Sequence, residues 1–255
     1  MEIKRNVQDK DPRIKRLESL LEYLVEIRCN GNRIRQLTKI IQNAYEQNPK
    51  ELERYFNHSN KLISGIASSA YYHLTGDLNP LQELEYGGLG VTLTSTPPKL
   101  SFAKKQLWFS KITGAALYRS QIDDHALSYS EIGGCALGNS ICKGNSLRKA
   151  KTKNSALRGS EIEESAGFES ENTDHALRSS TISNYALFRS KNRGFSLGCS
   201  TIKGGLERSE NEESSLEAVK IKGFSLHNAK MQNDFFKKTQ IKGNLLKKEM
   251  KELKI

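Results

Sequence analysis

From residue 110 onward the chain repeats a ten-residue phrase, and this repeat constrains the fold more than any other feature of the sequence. Written in tens from Ser110, it reads SKITGAALYR, SQIDDHALSY, SEIGGCALGN, SICKGNSLRK, and it continues to SKNRGFSLGC. The shared pattern is S-x-I-x-x-x-A-L-x-x. Self-similarity at a short fixed period is typical of solenoids, in which stacked repeats share one continuous core. The repeat therefore predicts a layered, elongated fold.

Each phrase holds two apolar positions that lie five residues apart. The five-residue register runs from Phe102 to Ile202, loses one residue, and resumes from Leu206 to Leu246. A period of five fits neither the 3.6-residue helix nor the alternation of a strand. It suits a chain that turns a corner every five residues and points one large side chain inward from each side. Five positions of the register are polar or glycine, and we interpret them as lapses: Thr152, Gly167, Asn172, Asn192 and Asn211.

The phrase resembles that of the pentapeptide-repeat family over about residues 101–247. Ser120-x-Ile122 and Ser180-x-Ile182 match the family's small-x-large pattern. The resemblance implies a right-handed β-helix with four five-residue sides per coil. The second half of the phrase departs from the family, because a large residue such as His125 stands two places before the core leucine. A solenoid with two ten-residue sides is the alternative, and both forms have about twenty residues per coil.

The residues before the repeat predict helices. Apolar residues spaced by three and four from Ile14 to Ile27 predict an amphipathic helix that ends near Arg28. A second helix is predicted over 34–44, and a short third one begins at Asn48-Pro49. A fourth over 62–74 ends near Gly76, since glycine is common just after a helix.

The predicted fold class is α+β, an N-terminal α-helical domain followed by a β-solenoid. The helical domain covers 1–76, and a Pro- and Gly-containing joining segment covers 77–100. The solenoid covers 101–247, and a capping helix over 244–255 closes its last coil. We expect the helical domain to cover the open strand edge of the first coil, or to dock or dimerise.

The charge of the chain is strongly basic and unevenly distributed. The formal net charge is +11. Residues 1–100 have 14 Lys and Arg against 12 Asp and Glu, a net of +2, so residues 101–255 contribute the remaining +9. A basic excess favours polyanionic partners, although it also serves solubility.

A coil of twenty residues places cations from successive coils in columns. Lys203, Lys222 and Lys242 are predicted to stack, and so are the pairs Arg158–Arg178 and Arg189–Arg208. Further lysines follow near the C-terminus. The candidate polyanion-binding residues are Lys203, Lys222, Lys242, Arg158, Arg178, Arg189, Arg208, Lys237, Lys238, Lys247 and Lys248.

These columns predict a non-catalytic repeat scaffold that binds a polyanion such as RNA or DNA. The alternative is a protein–protein interaction scaffold, or a rigid spacer, that docks through residues 1–95. A more distant alternative is a polysaccharide-active β-helix enzyme, for which Glu161, Glu163 and Glu164 are candidate carboxylates. These glutamates and the acidic residues of 207–217 would oppose a duplex laid along the whole rod.

Other chemistry is not indicated. The Asp124-His125 and Asp174-His175 pairs belong to the repeat phrase and would lie on opposite sides of the solenoid, because fifty residues make two and a half coils. We predict no cofactor and no metal site. The four cysteines show no CxxC pair, which favours free thiols in a reducing compartment. No apolar segment is long enough to cross a membrane and no secretory signal is evident, so we expect a cytoplasmic protein without a membrane partner.

Overall fold

The computed structural model describes residues 31–212, 214–222, 226 and 229–231, together with the backbone of 240–242. It contains a helical region followed by a β-solenoid with about twenty residues per coil, which confirms the predicted fold class. The predicted helix before Arg28 and the predicted capping helix over 244–255 lie outside the described residues.

Within the described part of the chain, three α-helices and one 3₁₀ helix precede the solenoid. Helix α1 is Gly31–Ala44, the 3₁₀ helix is Pro49–Tyr55, α2 is Lys61–Thr75 and α3 is Asn79–Glu83. The side chain of Asn60 accepts a hydrogen bond from the Leu62 amide at the start of α2. Gly76 ends α2 in the left-handed conformation, at φ +77°, which glycine adopts without steric strain.

Helix α2 packs directly on the start of the solenoid. The hydroxyl of Ser69 donates to the carbonyl of Leu89 at 2.9 Å, and the hydroxyl of Ser68 accepts from the amide of Gly88 at 3.1 Å. Gly65 permits this approach, since a Cβ there would lie 2.5 Å from the carbonyl oxygen of Tyr86. The helical region therefore rests against the first turn of the coiled chain.

Two parallel sheets form the solenoid, and each coil contributes one short strand to each of them. The odd sheet contains β1 Thr92–Leu93, β3 Lys111–Ile112, β5 Glu131–Ile132, β7 Lys151–Thr152, β9 Glu171–Asn172, β11 Lys191–Asn192, β13 Glu210–Asn211 and β15 Lys230–Met231. The even sheet contains β2 Ser101–Phe102, β4 Gln121–Ile122, β6 Ile141–Cys142, β8 Glu161–Ile162, β10 Thr181–Ser183, β12 Thr201–Lys203, β14 Lys220–Lys222 and β16 Gln240–Lys242.

The register of the strands confirms the coil length. Ile112 pairs with Ile132, twenty residues on. Strand β1, which pairs with β3, lies inside the segment 77–100 that the sequence suggested as a joining segment. That segment therefore supplies the first strand of the odd sheet.

Two rows of turns connect the sheets and form the edges of the rod. Edge one is the row of turns that lead from the even sheet to the odd sheet. Edge two is the row of turns that lead from the odd sheet back to the even sheet. Edge one consists of 84–89, 104–109, 124–129, 144–149, 164–169, 184–189 and 204–208. Edge two consists of 114–119, 134–139, 154–159, 174–179, 194–199 and 214–218.

The residue missing from the repeat is lost in edge one. Ser183 and Lys203 pair at a spacing of twenty, whereas Lys191 and Glu210 pair at nineteen. The shortened turn is therefore 204–208. The strands on both sides keep their pairing, so the columns of side chains continue across the deletion.

The strands supply one core residue each, and the turns supply another. Ile112 and Ile122 from strands, and Leu107 and Leu117 from turns, are all fully buried. The serines two places before the core isoleucines also stack on one another. The hydroxyl of Ser140 accepts from the amide of Ser120 at 3.0 Å and donates to the carbonyl of Leu117 at 2.9 Å.

The polar positions of the register are not independent lapses, as we first interpreted them. Thr152, Asn172, Asn192 and Asn211 lie in one buried column and form a ladder. Thr152 donates to Asn172 at 2.7 Å, and each amide nitrogen of Asn172 and Asn192 donates to the next asparagine at 2.8 Å. Gly167 is also accommodated, because Leu187 fills the space that its side chain would take.

Candidate polyanion interface

The lysine column lies on the even sheet. Lys203 pairs in register with Lys222, and Lys222 pairs with Lys242. Adjacent strands of a sheet lie about 4.8 Å apart, so the backbones of these three lysines follow one another at that spacing. The same column carries Ser183 one coil earlier and Glu163 before that. The column is therefore uniformly basic only toward its C-terminal end.

The predicted arginines occupy both edges of the rod. Arg189 and Arg208 lie on edge one, whereas Arg158 and Arg178 lie on edge two. Lys203 immediately precedes the edge-one turn 204–208, so the lysine column and Arg208 flank the same edge. These cations therefore lie on or beside edge one, whereas Arg158 and Arg178 lie on edge two. The remaining predicted cations lie outside the described residues: Lys237, Lys238, Lys247 and Lys248.

Aromatic rings hold the arginines of edge one. Phe168 stacks on Phe188, one coil further on, with ring centroids 5.7 Å apart and planes 7° from parallel. The guanidinium of Arg148 lies 5.4 Å from the ring centre of Phe168, and that of Arg208 lies 5.7 Å from Phe188. Packing of this kind restricts a guanidinium, so less conformational entropy is lost when it binds an anion.

One glutamate interrupts the cations on this edge. The carboxylate of Glu169 lies 3.6 Å from the ammonium of Lys149 and 3.7 Å from the guanidinium of Arg189. These groups belong to successive coils of one column. An acidic residue therefore separates the cations of Lys149 and Arg189 in this column.

The odd sheet carries a charge pattern that the sequence analysis missed. Its exposed strand positions alternate strictly in sign from coil to coil. The members of this alternating column are Lys111, Glu131, Lys151, Glu171, Lys191, Glu210 and Lys230. Writing the chain in rows of one coil, with the one-residue deletion included, would have revealed it.

Ion pairs link several neighbours in the alternating column. Lys151 lies 3.5 Å from Glu171, and Glu210 lies 3.8 Å from Lys191 and 3.2 Å from Lys230. The carboxylate of Glu131 instead contacts Arg35 of helix α1 at 2.9 Å. The alternating column is thus close to neutral along its length, unlike the run of lysines at the C-terminal end of the even-sheet column.

The Asp-His pairs serve the turns. Asp124 lies on edge one and Asp174 on edge two, which confirms that the pairs are on opposite sides. The carboxylate of Asp124 accepts from the amide of Lys104 at 3.2 Å, and that of Asp174 accepts from Asn154 at 3.3 Å. Each therefore stabilises the turn one coil earlier.

The three candidate carboxylates have separate surroundings. Glu163 pairs with Lys143 at 3.2 Å, and this contact raises the pKa of the lysine. The carboxylate of Glu164 accepts from the amide of Gly144 at 2.9 Å. Glu161 lies in the even sheet between Ile141 and Thr181.

The described cysteines are free thiols. Cys135 and Cys199 are exposed on edge two, and Cys142 is buried in the even sheet, where burial raises its pKa. Cys29 lies outside the described residues. Among the residues with described positions, no cluster of three or more histidine, cysteine or acidic side chains is placed to hold a metal ion.

An open groove separates α1 from strand β1. Arg35 and Lys39 of α1 line it together with His73 of α2 and Thr92. The ring nitrogen Nε2 of His73 accepts from the amide of Thr92 at 3.4 Å. Burial lowers the pKa of His73, because the charged imidazolium is less well solvated there.

Two further observations concern membrane helices and similarity to known proteins. Within the described part of the chain, no helix has both the length and the apolar composition that a membrane crossing requires. No protein-family model matches the chain, and no curated protein or solved structure matches it either.

Proposed function

We propose that this chain is a non-catalytic scaffold that binds a polyanion through the C-terminal part of the even sheet and the adjoining edge one. The register of Lys203, Lys222 and Lys242 is the observation that supports this proposal. Like charges on adjacent strands are unfavourable in isolation. A polyanion with closely spaced charges removes that repulsion and releases its own counter-ions when it binds.

The surrounding charges limit where such a ligand can bind. The alternating column neutralises the odd sheet, and Glu163 occupies the lysine column two coils before Lys203. Arg208 extends the basic surface around edge one. The proposed interface is therefore a local patch rather than the whole rod. The alternatives, a protein scaffold that docks through residues 1–95 and a polysaccharide-active enzyme, stay predictions.

The test compares two triple variants that change net charge equally. Lys203→Gln/Lys222→Gln/Lys242→Gln removes the lysine column, and Lys111→Gln/Lys151→Gln/Lys191→Gln removes three lysines of the alternating column. We expect the first to weaken binding of a heparin fragment at least tenfold, and to reduce the slope of log affinity against log salt by about 2 to 3. The control should change affinity less than threefold.

Binding is measured by fluorescence anisotropy of labelled heparin between about 50 and 300 mM salt, a range over which the affinity for a polyanion changes strongly. Circular dichroism verifies that both variants fold. Equal losses in the two variants would show that only net charge matters and would overturn the proposed site. Absence of heparin binding by the unmodified protein at low salt would overturn the proposed function itself.

A further inference from the structure

The aromatic side chains of the solenoid are concentrated on edge one. Among its described residues, edge two carries only Tyr118 and Phe195, and Phe102 lies in the core. The rings of edge one are Tyr86, Trp108, Phe109, Tyr129, Phe168, Tyr185 and Phe188. Trp108 and Phe109 also pack against the hydrophobic core of the helical region, so packing on the helices accounts for these two rings but not for Tyr129, Phe168, Tyr185 or Phe188.

Cations lie against the rings in the first coils. The ammonium of Lys105 donates to the Tyr86 hydroxyl at 2.7 Å and lies 5.7 Å from the ring centre of Trp108. Tyr129 stacks on Phe109 with a centroid distance of 5.1 Å. The ammonium of Lys149, from the next coil, lies 5.7 Å from the Tyr129 ring centre.

The same interleaving continues through the later coils. Arg148 and Arg208 lie on either side of the stacked pair Phe168 and Phe188. Rings and cations thus occur together from the turn 84–89 to the turn 204–208. At about 4.8 Å per coil, these six steps cover roughly 29 Å.

Two tyrosines on this edge expose much of their ring surface. Tyr129 is 38% exposed and Tyr185 is 55% exposed. Both residues have positive φ angles, 63° and 62°, in turns of edge one. The Tyr185 ring is therefore accessible to a ligand, and Tyr129 exposes the part of its ring that Phe109 and Lys149 leave uncovered. Phe168 and Phe188 are covered on their faces by each other and by arginines.

Several acidic residues of edge one form ion pairs or accept hydrogen bonds from backbone amides. Glu169 is shared by Lys149 and Arg189, and the carboxylates of Asp124 and Glu164 accept backbone amides. Their negative charge is therefore offset locally by cations or by amide dipoles.

Accessible rings interleaved with cations select among polyanions. A single-stranded nucleic acid offers unpaired bases that stack on aromatic side chains and phosphates that pair with cations. A duplex hides its base faces, and a sulfated sugar has none. A track of roughly 29 Å suits a site within the range of about 4–16 nucleotides found in single-strand binding folds.

We propose that edge one is a track for single-stranded nucleic acid, with bases against its exposed rings and phosphates against its cations. This inference rests on the proposed polyanion-binding function and names the class of ligand. It also gives a role to the aromatic residues of edge one, which binding through the lysine column of the even sheet does not explain.

The single tryptophan of the chain makes a direct test possible. Trp108 lies on edge one, so its fluorescence reports on occupation of that edge. The probes are a single-stranded oligouridylate, a duplex of the same length, and a heparin fragment of matched charge. We expect the single strand to quench Trp108 and to bind at least tenfold more tightly than the duplex.

A pair of variants separates ring stacking from charge. Tyr129→Asn/Tyr185→Asn removes the exposed rings and keeps a residue type that tolerates positive φ. It should weaken single-strand binding about tenfold or more and leave heparin affinity within twofold. The matched control, Tyr118→Asn/Phe195→Asn on edge two, should leave both affinities within twofold. Thermal unfolding of each variant checks its fold.

The outcomes distinguish the two proposals. If heparin and all nucleic acids fail to bind, the polyanion-binding function is wrong. If heparin binds but the single strand has no advantage over the duplex, only the inference about edge one is wrong. Equal weakening of single-strand binding by the two double variants would also overturn it.

Discussion

At the scale of single residues, the buried asparagines show how this solenoid accepts polar groups in a narrow core. Asn192 is fully buried, accepts from Asn172, and donates to Asn211 and to the hydroxyl of Ser190 at 3.1 Å. A buried amide without partners is strongly unfavourable. Because each asparagine side chain supplies a hydrogen-bond partner for the next one, the buried polar side chains are stable only when the whole column is present.

We predict that Asn192→Leu destabilises the protein by about 2 to 3 kcal/mol, because it leaves buried partners on both neighbouring coils without their hydrogen bonds. Replacement of the whole column, as Thr152→Val/Asn172→Leu/Asn192→Leu/Asn211→Leu, should recover most of that loss, since no side chain of the column is left without its partner in the next coil and only the hydroxyls of Ser170, Ser190 and Ser209 lose a donor. Urea unfolding monitored by circular dichroism measures both. A fourfold variant less stable than the single one would contradict this account.

Residue-level interpretation of the sequence was least successful at these positions. The five-residue register located Thr152 and the three asparagines correctly as inward-facing, but their chemistry suggested defects of the repeat. Only the stacking of coils shows that the four side chains meet. A hydrogen-bond ladder is a property of neighbouring coils, so a search along one coil cannot detect it.

At the scale of elements, the odd and even sheets solve the problem of stacked charges differently. On the odd sheet each exposed lysine is followed by a glutamate one coil on, as at Lys151 and Glu171. Opposite charges on adjacent strands stabilise pairing modestly, and like charges oppose it. The alternating column therefore favours the native register, since a slip by one coil would bring like charges together.

We predict that Glu171→Lys lowers the free energy of unfolding by about 1 kcal/mol at low salt, because it creates three adjacent lysines with Lys151 and Lys191. The loss should shrink in 0.5 M salt, at which the Debye length is only about 4 to 5 Å. Glu161→Lys on the even sheet is the matched control, since its neighbours Ile141 and Thr181 are uncharged. Equal effects of the two changes in urea unfolding would contradict the role of the column.

The elements themselves followed closely from the sequence. A five-residue apolar period predicted the coil, and the coil predicted the pairing of Lys203 with Lys222. The strand β1 was harder to foresee, because Pro97-Pro98 and the glycines of 84–90 obscure the repeat in the first coil. The assignment of cations to edges also required the path of the turns, which the period alone does not specify.

At the scale of the whole molecule, the helical region and the solenoid form a continuous packed structure. Besides the contacts of Ser68 and Ser69, the guanidinium of Arg35 donates to the carbonyl of Phe109 at 2.9 Å and pairs with Glu131. His73 joins α2 to strand β1 through the amide of Thr92. These contacts cover the first strands of the rod, whose edges would otherwise be open to other chains.

We predict that this junction weakens in acid. Burial lowers the pKa of His73 in the folded protein, whereas the unfolded chain has a value near about 6.5. The unfolded state therefore binds the proton more readily, and stability must fall as the pH drops through 6.5 toward the folded pKa. Protonated His73 would also face Arg35 and Lys39 across the groove.

His73→Gln keeps a hydrogen-bond acceptor for Thr92 and removes the titrating group. We expect it to reduce the fall in thermal midpoint between pH 7 and about 5.5, a range set by the ordinary histidine pKa. His175→Gln on edge two is the control and should retain the pH profile of the unmodified protein. If His73→Gln lost as much stability in acid as the unmodified protein, the acid sensitivity would come from another group.

The shortened turn 204–208 has a practical consequence for protein engineering. The repeat is one residue shorter there, and the strands on either side keep their pairing. At Gly204-Gly205 the length of the turn can therefore differ without changing the pairing register of the flanking strands. Foreign peptides grafted between these glycines should be displayed on the rod's flank without disturbing its architecture, which makes this position a natural attachment point for epitopes or sensors.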